Sequence, residues 1–255
     1  MLRTRLAGRL IGSAPVKMSR GSVERICAAT EMVHTASLCH DDVIDGGILR
    51  REQPALWRVT TTSGAVLIGD ILLCEAMRLV IDTEGGRYIR LFVEKTHEVC
   101  STEAEQELFL RDKVLDSETC ERIARGKTGP LFAVIGHVCG GEDSGRVTAL
   151  EEAGYRIGTA YQLADDLLDQ CGDEKSAGKT LGTDRERRKF TLAQESASGD
   201  GAVEKRIGEL CRGALGCVEG WPDLRKGMAA FFAHDLQPVF NQFSQDLDIC
   251  VRLKA

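Results

Sequence analysis

The chain has 255 residues, 43% of them hydrophobic, and a formal net charge of -6. That length fills one large hydrophobic core, and no linker, low-complexity tract or internal repeat divides it, so a single domain over residues 1–255 is expected. The acidic balance excludes general nucleic-acid affinity. Ten cysteines without a CxxC pair are dispersed through apolar stretches (Cys27, Cys39, Cys74, Cys100, Cys139), which excludes a disulfide framework or zinc site and fits a reducing cytoplasm.

Taken in chain order, Met1 to Arg5 carry two arginines but no signal-peptide core. Residues 21–45 keep apolar side chains at three- and four-residue spacing (Val23, Ile26, Cys27, Thr30, Val33, Leu38), which predicts a helix ended by Gly46-Gly47. Trp57 to Thr62 is the only short β candidate. Residues 64–81 predict a second helix; Asp70 interrupts its apolar run, Gly64 to Met77, well short of a membrane span. Helices are further predicted over 88–112, 117–140, 145–170 and 203–219. Loops fall at Glu84-Gly85-Gly86, Gly140-Gly141, Gly172 to Thr183 and Ser196 to Gly201. The whole predicts an all-α helical bundle with a central active-site cavity, since bundles build ligand sites from side chains on facing inner helices.

Two acidic clusters share one spelling. Asp41-Asp42-Val43-Ile44-Asp45 and Asp165-Asp166-Leu167-Leu168-Asp169 both read DDxxD, and each follows an apolar helical stretch. On a helix the first and last Asp share a face one turn apart, and the middle one is offset by about 100°. Carboxylates crowded among apolar side chains repel one another unless cations neutralise them. Mg²⁺ takes one or two carboxylates and completes its shell with water and phosphate oxygens, so facing clusters would clamp a diphosphate. Taken alone, one DDxxD is more often a solvated helix face; two copies in apolar company, each followed by basic residues (Arg50 and Arg51, Lys179 and Lys189), suit a polyphosphate ligand.

The clusters and their flanks resemble the trans-isoprenyl diphosphate synthases of the polyprenyl synthetase family. The stretch Glu31 to Asp45 with Arg50-Arg51 is similar to the first aspartate-rich motif and its arginine pair. Gly69-Asp70, a Glu103-x-x-Gln106 element, Lys127-Thr128, Tyr161-Gln162 with Asp165 to Asp169, and Gly178-Lys179, Gly182, Asp184, Lys189 and Thr191-Leu192 follow in family order. The resemblance implies an isoprenoid synthase fold. It also implies an Mg²⁺-dependent prenyltransferase that condenses isopentenyl diphosphate with an allylic prenyl diphosphate.

By the same resemblance Asp41, Asp45, Asp165 and Asp169 hold three Mg²⁺ ions, with Asp42 and Asp166 as ligands or support. Arg50, Lys127, Thr128, Gln162, Lys179 and Lys189 hold the allylic diphosphate, and Arg3, His34 and Arg51 hold isopentenyl diphosphate. Ala36 and Ser37 would set chain length: an aromatic residue there blocks elongation in the family, and these small ones predict a medium or long product for a quinone side chain. Such a product would pass to membrane enzymes. A homodimer is implied too. The family's N-terminal helix and Gly-Lys-Arg-x-Arg-Pro loop are expected to be missing or truncated, with Met1 to Arg5 as the loop's remnant. Glu52, Arg188 and Ala193 depart from the pattern. Two rivals remain: a non-catalytic or partner-dependent subunit of a hetero-oligomeric synthase, which usually lacks one or both clusters, and a terpene cyclase, whose second motif normally uses Asn, Ser and Glu.

Overall fold

The computed structural model describes residues 1–50, 52–171 and 201–243. These form helices α1 (Leu2–Ser13), α2 (Arg20–Ile44), α3 (Leu56–Val59), α4 (Thr62–Ile81), α5 (Ile89–Glu105), α6 (Ser117–Gly140), α7 (Ser144–Cys171), α8 (Ala202–Cys217), α9 (Pro222–Phe231) and α10 (Gln237–Phe243). Beside them, among the described residues, stands one antiparallel hairpin of two-residue strands, β1 (Leu49–Arg50) and β2 (Gln53–Pro54). The all-α expectation holds.

Local chemistry sets the helix starts. The Ser19, Thr61 and Asp116 side chains accept backbone N–H bonds from Ser22, Gly64 and Thr119, capping α2, α4 and α6. Helix α6 is central: from Thr128 to Gly140 every residue but His137 is buried, as befits a helix covered on all sides. One face of α6 packs with α1, α7, α8 and α9 around Phe132, Ile157, Ile207 and Phe231. Another packs with α2, α4 and α5 around Ile26, Val80, Phe92 and Leu131.

The α6–α7 seam is unusually tight. A Cβ added at Gly158 would lie 2.5 Å from Gly129 Cα, so the two backbones touch where ordinary side chains would hold helices 8–10 Å apart. This contact brings the middle of α6 against the turn of α7 that precedes the second acidic cluster.

Two expectations need correction. Met1 to Arg5 lead into helix α1 rather than a loop: Leu6, Ala7 and Leu10 recur at helical spacing and are buried. Trp57 to Thr62 is no strand; Leu56–Val59 is a helical turn, and Trp57 Nε1 donates to Gly47 O at 2.7 Å, tying it to the end of α2. The helical stretch 222–243 lies beyond the predicted helices. Two single-turn π segments, Gln106–Leu110 and Phe232–Leu236, extend α5 and join α9 to α10; such bulges recur at functional sites.

Candidate active site

A cavity of about 700 Å³ opens between α2, α5, α6 and α7. Asp41 and Asp45 line it from the last turns of α2, and Asp165, Asp166 and Asp169 line it from α7. His34, Ser37 and Asp41 stand three and four residues apart, so the α2 stripe below the first cluster forms one wall. Ala36, named with Ser37 as a length gate, is fully buried and lies outside the cavity lining; a step of about 100° from Ser37 turns it into the packing.

Asp42 lines the cavity with its cluster mates. Its side chain is buried and accepts two hydrogen bonds from Arg50, Nε at 3.1 Å and Nη2 at 2.5 Å, so it holds the arginine beside Asp41 and Asp45. Burial would lower the Arg50 pKa, but the hydrogen bonds to Asp42 and the charges of Asp42, Asp165 and Asp41 raise it. The guanidinium is thus fixed between the clusters and permanently charged.

On the opposite wall Lys127 Nζ pairs with Glu103 Oε2 at 2.7 Å and donates to Gln106 Oε1 at 2.9 Å. Thr128 Oγ1 donates to Gln162 Oε1 at 2.7 Å, and Gln162 Nε2 donates to Asp166 Oδ1 at 2.9 Å. One hydrogen-bonded chain therefore runs from α6 through α7 to the second cluster. Arg3 reaches the cavity from α1; its guanidinium is buried, 5.0 Å from the Phe132 ring centroid and 3.9 Å from Glu31 Oε2, and its Nε has no hydrogen-bond partner among the described residues. Burial lowers its pKa, with the Glu31 charge opposing. Arg51, Lys179 and Lys189 lie outside the described residues.

Sequence reasoning left two features unread. Cys100 lines the cavity with its side chain exposed there, and partial desolvation by the walls together with the Asp41 charge pushes its thiol up. Gly69 leaves room for His40: an added Cβ would lie 2.2 Å from His40 Nε2, which contacts Val66 O at 3.2 Å. The Gly-Asp signature was visible, but its partner on α2 was not.

The donor set fits a hard divalent ion. Among the described residues no three acidic, His or Cys side chains are already gathered around one point. The carboxylates are instead divided between two walls of one cavity. That division suits Mg²⁺, which accepts one or two carboxylates and fills its shell from water and phosphate.

The family described as Polyprenyl synthetase matches residues 4–212. A geranylgeranyl diphosphate synthase of Mycobacterium tuberculosis is 34% identical over 179 residues, covering 68% of this chain and 51% of that protein. An octaprenyl diphosphate synthase of Haemophilus influenzae is 33% identical over 177 residues, covering 68% and 54%. The chain thus spans about half the length of these curated relatives. Among solved structures, a polyprenyl synthase from Caulobacter crescentus complexed with calcium and isoprenyl diphosphate superposes with a TM-score of 0.81 at 26% identity, over 90% of this chain and 82% of that one. With the ordered motifs converging on one cavity and the family matching most of its length, the chain belongs to the polyprenyl synthetase family.

Proposed function

We propose that this chain, acting as a single isoprenoid synthase domain, is an Mg²⁺-dependent prenyltransferase that condenses an allylic prenyl diphosphate with isopentenyl diphosphate. The observation that carries the reading is the sharing of one cavity by both acidic clusters, Arg50, Lys127, Thr128 and Gln162. Asp41, Asp45, Asp165 and Asp169 would hold the metal, which, when bound, neutralises the diphosphate and stabilises it as a leaving group.

In the reaction the allylic C–O bond breaks, and the pair of electrons leaves with the diphosphate. Arg50 and Lys127 stabilise the charge that develops there, as fixed cations at a site shielded from water. Thr128 and Gln162 orient the same group. Arg3 and His34 hold isopentenyl diphosphate, and the buried, incompletely bonded Arg3 guanidinium supports that assignment. The double bond attacks the allylic carbon, a C–C bond forms, and a proton is lost to the released diphosphate. Val33, Leu73, Val99, Ile123 and Leu131 give the wall an apolar stretch, which would keep water from the carbocation.

The small Ser37 on the cavity wall supports a medium- or long-chain product, such as a quinone side chain, handed on to membrane enzymes. Relatives include farnesyl as well as geranylgeranyl and octaprenyl diphosphate synthases, so the length reading rests on Ser37. No helix among the described residues is long and apolar enough to cross a membrane, and eight described cysteines are free thiols; both are compatible with a cytoplasmic enzyme. Helix α4 exposes Leu67 (61%) and Ile71 (60%) beside Val66 and Ile68, an apolar face that supports a homodimer. Sedimentation of Leu67→Glu should then show a monomer where the parent sediments as a dimer.

Purified protein incubated with Mg²⁺, labelled isopentenyl diphosphate and geranyl, farnesyl or geranylgeranyl diphosphate should give a ladder of longer prenyl diphosphates. A folded protein that binds diphosphate yet turns over no primer would instead favour a partner-dependent subunit.

A further inference from the structure

The Glu-x-x-Gln element on α5 has no part in the reaction described above, yet both of its side chains line the same cavity. A carboxylate there repels the diphosphate the cavity must accept, so Glu103 needs another reason to stand where it does. Its oxygen lies 2.7 Å from Lys127 Nζ, and Gln106, one turn on, accepts from the same ammonium at 2.9 Å. Residues three apart share a helix face, so the two acceptors close on Lys127 from one side.

The backbone is arranged for this contact. Gly126, directly before Lys127, faces α5: an added Cβ would lie 2.3 Å from Thr102 Oγ1, next to Glu103 in sequence. Only a residue without a side chain lets the helices approach this closely. The π segment Gln106–Leu110 begins at Gln106, which is buried, and Arg122 grips Glu105 through two 2.8 Å hydrogen bonds. Contacts from α6 therefore hold this end of α5.

We propose that Glu103 and Gln106 are positioning residues that fix the Lys127 ammonium for the allylic diphosphate. A lysine ammonium sits on a flexible four-carbon stem and must otherwise be ordered when the ligand arrives. Two fixed acceptors order it beforehand in a part-buried wall. The proposal rests on the diphosphate reading of the cavity.

The test measures binding of inorganic diphosphate with Mg²⁺ by calorimetry, and steady-state kinetics, for the parent and for E103Q, E103A, Q106L, K127A and E103A/K127A. The amide of E103Q keeps an acceptor while removing the charge. E103A and Q106L should lower kcat/KM for the allylic substrate by about tenfold to a hundredfold, the scale of loss from an ångström of misplacement. The KM for isopentenyl diphosphate should stay unchanged, E103Q should recover most of the diphosphate affinity, and the double variant should be no worse than K127A. Two results overturn the proposal. One is diphosphate bound by E103A as tightly as by the parent, or more tightly, which would make the carboxylate a competitor. The other is a loss in E103A/K127A equal to the full product of the single losses. Failure of the parent itself to bind diphosphate would overturn the reading of the cavity and this proposal with it, and no variant is needed to see that.

Discussion

Gly158→Ala puts the close seam between α6 and α7 under direct load. The new Cβ would lie 2.5 Å from Gly129 Cα and 2.6 Å from Gly129 N. Carbon atoms rest at about 3.5–4.0 Å, so the helices must separate by roughly 1 Å. Overpacking of this kind costs about 1–3 kcal/mol. The better helix propensity of alanine returns about 1 kcal/mol. A net loss of up to about 2 kcal/mol should lower Tm by up to roughly 8 °C for a chain of this size. The same separation pulls Thr128 Oγ1 from Gln162 Oε1, now 2.7 Å apart, beyond hydrogen-bond reach and loosens the link to Asp166. The allylic KM should rise several-fold with it. Thermal unfolding followed by circular dichroism, paired with allylic kinetics, reads both effects. Gly8→Ala on α1 is the control: nothing lies within 4 Å of its added Cβ, so stability should hold or rise by up to about 1 kcal/mol. A Gly158→Ala protein melting as high as the Gly8→Ala control, which gains the propensity without the clash, would refute the seam argument, and one that melts below it with an unchanged KM would refute its role in positioning Gln162.

Further outcomes follow from single contacts. Arg50→Ala leaves the Asp42 carboxylate, 5% exposed, without its partner and should cost about 2–3 kcal/mol in chemical denaturation; adding Asp42→Asn should restore most of that stability but not the activity. Ser37→Phe should shorten the products without loss of folding, whereas Ala36→Phe, at a fully buried position off the cavity wall, should destabilise the protein by about 1–3 kcal/mol; the reverse pattern in product chromatography and melting would show that Ala36 is the gate. Because burial and Asp41 raise the Cys100 pKa, its thiolate is scarcer at neutral pH than that of an ordinary thiol. Alkylation by iodoacetamide, mapped by peptide mass, should therefore be slow at pH 7, accelerate as pH rises past the ordinary thiol range, and be suppressed by diphosphate with Mg²⁺. Cys100 labelling that is fast at pH 7 and indifferent to diphosphate would place it outside the cavity.

The two DDxxD clusters were legible because helix geometry is local. Four-residue spacing alone puts Asp41 with Asp45 and Asp165 with Asp169, and both pairs line the cavity. The same geometry set Asp42 apart by about 100°, but not what it would meet there; Arg50 arrives through the β1–β2 hairpin, which has no periodic signature. Leu2, Leu6 and Leu10 recur every fourth residue, the period of helix α1, although the resemblance places a loop remnant at Met1 to Arg5. The stretch 222–243 is less legible. Phe231 and Phe232 are adjacent and both buried, and the π segment that follows breaks the 3.6-residue rhythm on which the reading depends.

Glycines mark the deeper limit. In a single sequence a helical glycine reads as a weakness of about 1 kcal/mol and a hint of a turn. Gly126, Gly129 and Gly158 are instead points where α6 comes close to α5 and α7, and each such contact sets a neighbour in the cavity: Lys127 against Glu103, Thr128 against Gln162. Their value exists only in the pair of helices, so no window along one of them contains it. Acids and bases announce a diphosphate site one helix at a time. What converts them into a site is the distance between helices, set here by the residues with nothing to show beyond a hydrogen.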